Sequence, residues 1–157
     1  MAVEIERKFL LKNDSFKSES FKTSYIKQGF LNSNKNRVVR VRLIDKSGYL
    51  TVKGISNEEG LTRFEWEKKI SKKDAESLLK LCEKGVIEKY RHFIKKGKHT
   101  FEVDEFLGDN IGLVIAEIEL SEENEDFDKP KWLGKEVTGI IKYYNSELSK
   151  NSFKNWT

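Results

Sequence analysis

Apolar and charged residues alternate one for one along most of this chain, and many of the alternating stretches carry charge of a single sign. Val39, Val41 and Leu43 alternate with Arg40 and Arg42; Ala116 and Ile118 alternate with Glu117 and Glu119. A period of two marks β-strands, whose successive side chains point to opposite faces. The same period places Glu4, Glu6 and Lys8 opposite Val3, Ile5 and Phe9, and Lys53 opposite Val52. It separates Arg63, Glu65 and Glu67 from Phe64 and Trp66, Lys89 and Arg91 from Tyr90, His92 and Ile94, and Glu102 and Asp104 from Phe101 and Val103. A further strand is expected over 25–31, with hairpin turns at 46–48 and 96–98 and loops at 56–60 and 108–112.

Helical signals are few. Ser71 caps a helix, with Asp74 three residues on as the reciprocal partner, and Ala75, Leu78, Leu79 and Cys82 follow at helical spacing until Gly85. After the acidic loop 122–128 comes a short segment around Trp132 and a closing helix over 143–150. The expected total is about eight strands, mostly hairpin-linked, with two or three helices.

Charged residues make up 36% and hydrophobic residues 37% of the 157 positions, against roughly 25% and 45–50% in globular chains. Ten Phe, five Tyr and three Trp exclude a solvating, disordered chain. No apolar run approaches the roughly 18 residues of a membrane span, and the N-terminus is charged where a signal peptide needs its apolar region. A single Cys excludes an internal disulfide and fits a reducing compartment. The expectation is one soluble, cytoplasmic domain over residues 1–157. A net charge of +4 does not by itself point to nucleic acid.

Two architectures compete for this pattern. An amphipathic sheet normally buries its apolar face against helices and wets its polar one. The helices here are too few and short to cover eight apolar faces, whereas a closed sheet removes its edges and encloses a small-ligand cavity. Charge segregation favours closure. Same-sign residues two apart on a strand share a face and repel unless an opposite charge sits between them. The pairs Arg40/Arg42 and Lys89/Arg91 therefore ask for a polyanion, gripped bidentately by Arg with Lys adding point charge. Glu117/Glu119 and Glu102/Asp104 ask for a hard divalent cation of the kind shared with substrate phosphates. Acids and bases converging on one enclosed channel would make a metal–polyphosphate site, and the chemistry would be attack on phosphorus.

The order of these motifs resembles the CYTH superfamily, the triphosphate tunnel metalloenzymes. Glu4-Ile5-Glu6-Arg7-Lys8 matches its Glu-x-Glu-x-Lys signature, Arg40-Val41-Arg42 its Arg-x-Arg strand, and Thr51-Val52-Lys53 its Thr-x-Lys strand. Lys89-Tyr90-Arg91 resembles its Lys-x-Arg strand and Glu117-Ile118-Glu119 its late Glu-x-Glu strand; Glu136-Val137-Thr138 and residues 143–148 resemble its C-terminal motifs. The resemblance implies a mainly β fold with a few helices: a closed eight-stranded antiparallel β-barrel, or tunnel, with a charged lumen flanked by short helices. It implies that Glu4, Glu6, Glu117 and Glu119 hold one or two divalent metals, Mg²⁺ or Mn²⁺. Lys8, Arg40, Arg42, Lys53, Arg63, Lys89 and Arg91 would bind the triphosphate, with Glu4, Glu6 and Lys8 catalytic. Glu65, Glu67, Glu102 and Asp104 are expected in the lumen without assigned roles. One stretch departs from the family pattern: Gly139-Ile140-Ile141-Lys142 lacks the acidic residue that many relatives carry before the C-terminal helix.

The expected activity is metal-dependent hydrolysis of inorganic tripolyphosphate or a similar small triphosphate, ATP and thiamine triphosphate included. A class IV adenylate cyclase and a non-catalytic polyphosphate- or nucleotide-binding module are the rivals. The carboxylates argue against the module, because binding an anion does not call for them. Nucleic-acid binding is not expected, since the aromatics lie on the face opposite the bases and read as core. No membrane partner is expected either, and the oligomeric state stays open, a homodimer included. Cys82 reads as core filler, 122–128 as a solvated loop, and His92 and His99 lack zinc spacing.

Overall fold

The computed structural model describes residues 3–58 and 62–156, apart from the side chains of Val3 and Glu4. The expected start of a strand at Leu61 and the end of the loop at Gly60 lie outside the described residues. Among those described are nine strands: β1 (Val3–Leu11), β2 (Lys22–Asn32), β3 (Arg37–Ile44), β4 (Ser47–Ser56), β5 (Thr62–Ile70), β6 (Ile87–Lys96), β7 (His99–Phe106), β8 (Val114–Glu119) and β9 (Leu133–Glu136). All pairings are antiparallel. Their order is β5-β4-β3-β2-β6-β7-β8-β1, and a further β5–β1 pairing closes the ring into an eight-stranded barrel. The closed architecture prevails over the open sheet.

The ninth strand was not expected. Pairing with β5 occupies β1 only over Val3–Ile5, and β9 takes the stretch beyond it, with Phe9 opposite Glu136 and Leu11 opposite Leu133. Gly134 permits this contact, because a Cβ there would stand 2.7 Å from the Leu10 carbonyl oxygen. Four residues with Gly and Lys in the middle carry no strand periodicity of their own.

Helix is scarcer than the spacing suggests. Ser71 Oγ accepts from the Asp74 amide at 3.0 Å and starts α1 (Lys72–Leu79), but the helix stops six residues short of Gly85. Cys82 lies past its end and still packs on the cluster of Val41, Ala75 and Leu79 that seats α1 on the outside of β3. The closing helix is the single turn α2 (Asn145–Leu148), preceded by a 3-10 turn over Ile141–Tyr143. Its neighbours Ser149, Asn151 and Ser152 favour caps and turns over helix interiors. Among the described residues, no helix is long and apolar enough to cross a membrane.

The main core lies outside the barrel wall. Phe9 of β1, Ile94 of β6, Phe101 and Val103 of β7, and Ala116 and Ile118 of β8 pack outward beneath Phe16, Trp132 and Leu133. Trp132 is 1% exposed, and its ring meets Phe16 and Phe101 edge-on. The acidic loop is not purely solvated. Phe127 packs on Phe9 and Phe101, while Glu125 bonds His99 at 2.5 Å and the Ser121 amide at 2.6 Å. Phe64 and Trp66 of β5 correct the expectation that the aromatics are core: both are more than 40% exposed. A second cluster sits at the barrel's end, where Ile87, Phe106, Leu113 and Ile115 meet Leu148 of α2.

Gly85 fixes that end. Its φ is +92°, and a Cβ would stand 1.9 Å from the Ser149 carbonyl oxygen, next to the end of α2. We expect Gly85→Ala to cost roughly 2 kcal/mol or more, read as a lower urea midpoint at an unchanged slope; an unaltered midpoint would refute the contact.

Candidate active site

The inward positions of the strands form a cavity of about 240 Å³. Directly opposed residues in antiparallel strands share a face, so register decides what faces what. Lys8 opposes Glu117 and Glu6 opposes Glu119 across β1–β8; Arg91 opposes Asp104 across β6–β7; Lys53 opposes Glu65 across β4–β5. Lys8, Arg40, Arg42, Lys53, Arg63, Lys89 and Arg91 line the cavity, and so do Glu6, Glu117 and Glu119. The Glu4 side chain lies outside the described residues; its backbone pairs with Arg63. Glu65 and Glu102 also line the cavity. The apolar cluster under α2 closes one end, and exposure rises toward Glu119.

Asp104 organises the β6–β7 wall. It is 1% exposed and accepts from Arg91 Nε at 2.7 Å, Arg91 Nη2 at 2.8 Å and Lys89 Nζ at 2.8 Å. Burial alone would raise its pKa, but Arg91 and Lys89 outweigh it and hold the carboxyl below its ordinary value. Lys89 bears the cost: burial, only partly offset by Asp104, pushes its ammonium down to about 8. The Lys89 ammonium also donates to Asn145 Oδ1 at 3.1 Å, which ties α2 to the wall.

On β1, Lys8 Nζ lies 2.9 Å from Glu117 and 3.3 Å from Glu6, with the Tyr144 ring 5.7 Å away. Burial opposes its charge, yet Glu117 and Glu6 raise its pKa above the ordinary lysine value. Glu117 is correspondingly held well below the carboxylate range, with Lys8, Arg91 and Lys89 overcoming its burial. On the far wall, Glu67 lies 3.4 Å from Arg42 Nη2 and 4.0 Å from Arg40 Nη2, and it accepts from Thr51 Oγ1 at 2.7 Å. Burial, then the nearby Arg91 charge, depresses the Arg42 guanidinium despite Glu67. Glu102 is raised, chiefly by burial.

Sequence reasoning gave no role to Tyr144 and Asn145, which meet Lys8 and Lys89, or to Thr138, which lines the cavity while its hydroxyl accepts from the Lys8 amide at 2.9 Å. The motif matches at 136–138 and 143–148 were the available signal. The departing stretch does not empty this region: Gly139 lines the cavity at φ +77°, while Ile140 and Ile141 face outward. Among the described residues, no group of three or more His, Cys, Asp or Glu forms a ready-made metal cage.

Removing the shared carboxylate should be costly. Asp104→Asn leaves two buried cations without their anion, and we expect it to lower unfolding free energy by about 3–5 kcal/mol at pH 7. Because the Asp104 and Glu117 pKa values are depressed in the fold, the stability they supply is full above about pH 4–5 and disappears as pH falls through their folded values. Urea titrations of both proteins from pH 7 to pH 3 check this: wild type should weaken toward acid, and the variant should show the shallower slope.

Comparison with known proteins agrees with this geometry. The model of the CYTH domain matches residues 2–151. An inorganic triphosphatase of Acetivibrio thermocellus is 50% identical over 157 residues, 99% of each chain. The crystal structure of the inorganic triphosphatase NE1496 aligns with a TM-score of 0.63 at 29% identity, covering 93% of this chain and 97% of that one. A putative adenylyl cyclase from Hippeastrum, described as having a dominant triphosphatase activity, shares the fold at 18% identity and a TM-score of 0.60, over 76% of this chain and 80% of its own. A barrel with an inward-facing charge set, a family match across nearly all of its length and a half-identical full-length relative lead to one conclusion: the chain belongs to the CYTH family.

Proposed function

We propose that this protein is a divalent-metal-dependent triphosphatase that hydrolyses inorganic tripolyphosphate held in the barrel. One observation carries the reading: seven cationic side chains from β1 and β3–β6 meet five carboxylates in a single cavity of about 240 Å³. Apart from Phe30, Val38 and Tyr144, that wall offers little apolar surface to a nucleoside, which favours an inorganic triphosphate over the nucleotide a cyclase would take. The half-identical relative, an inorganic triphosphatase, supports the same substrate.

The carboxylates fit a hard cation. Glu6 and Glu119 stand directly opposite on one face, a repulsive pairing that a cation between them would relieve. Oxygen ligands few enough to leave room for phosphate suit Mg²⁺ or Mn²⁺. In this reading Glu6 and Glu119 hold the metal, with Glu4 and Glu117 completing the set. When bound, it neutralises phosphate oxygens and makes a coordinated water more acidic.

The chain's own residues do the rest. Arg40 and Arg42 grip phosphate oxygens with paired N–H donors; Lys53, Arg63, Lys89 and Arg91, whose Nε and Nη2 are held by Asp104, add charge along the triphosphate. Lys8, kept protonated by Glu117 and Glu6, is a fixed ammonium that stabilises negative charge on the phosphoryl group under attack. Glu6 lies beside it, 3.3 Å from its ammonium, and Glu4 and Glu6 are assigned with it to catalysis. The unit is the domain formed by residues 1–157, working in the cytoplasm.

Orthophosphate release from tripolyphosphate, ATP and thiamine triphosphate, each with Mg²⁺, Mn²⁺ or EDTA, tests the reading. Turnover should be fastest on tripolyphosphate and absent in EDTA; cyclic AMP appearing from ATP would replace it with the cyclase. Glu119→Gln should lower kcat at least ~100-fold while leaving the thermal midpoint within a few degrees. Lys89 adds a pH signature. Its charge is lost as pH rises through about 8, so tripolyphosphate affinity should fall above pH 8 and binding there should take up protons. Calorimetry in buffers of different ionisation enthalpy measures that uptake.

A further inference from the structure

Gln28 is the one buried side-chain amide with neither of its polar atoms hydrogen-bonded among the described residues. It sits on the lumen face of β2, 0% exposed, with neither Oε1 nor Nε2 bonded to the protein. Its two cross-strand neighbours are Arg42 of β3 and Ile87 of β6. Ile87 belongs to the apolar cluster under α2 and offers no polar atom, so a hydrophobic side chain would fit that side at lower cost. Arg42 differs. Its Nε is also buried without a hydrogen-bond acceptor among the described residues, where its guanidinium hydrogen-bonds only through Nη2, to Glu67 at 3.4 Å. An unbonded acceptor and an unbonded donor therefore stand directly opposite on adjacent strands, where Cβ atoms lie about 4.5–5.5 Å apart.

We propose that Gln28 is a positioning residue for Arg42: its Oε1 accepts from Arg42 Nε–H when the guanidinium turns from Glu67 toward an oxygen of the bound triphosphate. The bond fixes the plane of the guanidinium, and with it the direction of the Nη donors. Glu67 and Gln28 thus define two settings of one side chain, and the polyanion selects the second. The proposal deepens the triphosphatase reading and rests on it.

A double-mutant cycle tests it, with tripolyphosphate binding measured by calorimetry in EDTA so that turnover plays no part. Gln28→Met keeps the volume and removes the acceptor. It should weaken binding about tenfold in the wild-type background and less than about twofold in Arg42→Ala. Its thermal midpoint without ligand should equal or exceed that of wild type, because no amide hydrogen bond to the protein is lost. Equal losses in both backgrounds would overturn the role. If Gln28→Met does not fold, the wild type still decides. In ¹⁵N-arginine spectra the Arg42 Nε–H signal should shift and exchange more slowly with water when tripolyphosphate is added, and an unmoved signal refutes the bond. A wild type that neither binds nor hydrolyses tripolyphosphate removes the functional reading and this proposal together. Binding with no coupling to Arg42 removes the proposal alone.

Discussion

A sheet that closes with its charged face inward must hold its buried cations against carboxylates from other strands. The Asp104 carboxylate is the tightest case. Three donors from Lys89 and Arg91 converge on its two oxygens, and the cations of β6, which would otherwise repel, are bound into one unit. Glu117 does the same for Lys8, and Glu67 lies against Arg40 and Arg42. The counter-ions therefore serve two ends. They make a charged interior compatible with folding, and on β1 and β6 they fix Lys8, Lys89 and Arg91 at set positions, so that little reorganisation of these three is left for an incoming anion.

Much of this was legible from a single strand at a time. Period-two alternation is enough to place Arg40 with Arg42 and Glu117 with Glu119 on common faces, and the sparse helical signal argues that those faces close on each other. What a lone strand does not encode is register. Nothing in the run from Thr100 to Phe106 says that Asp104 stands opposite Arg91 while Glu102 stands opposite Glu117. The buried carboxylate that organises the wall therefore looked no different from its neighbour two residues away. Cover is equally non-local: Phe64 and Trp66 carry a core-like composition, yet both stay more than 40% exposed. The contributions of Tyr144 and Asn145 depend on a one-turn helix whose position follows from tertiary contacts with Leu148 and Gly85.

The usual arrangement of a small protein is inverted here. Apolar side chains of the barrel point outward and need an overcoat: α1 over β3, and Phe16, Trp132 and β9 over β1, β7 and β8. The chain's irregular segments are thus structural, since they shield what the lumen cannot accept. Apolar packing therefore lies mainly in the coat and the charged chemistry in the bore. The exception is α2, which belongs to both. Leu148 anchors it to the apolar cluster while Asn145 holds Lys89.

That plugged end makes the bore a blind alley. Among the described residues the α2 end is closed, so a linear anion entering head first would have to leave past the same exposed Glu119.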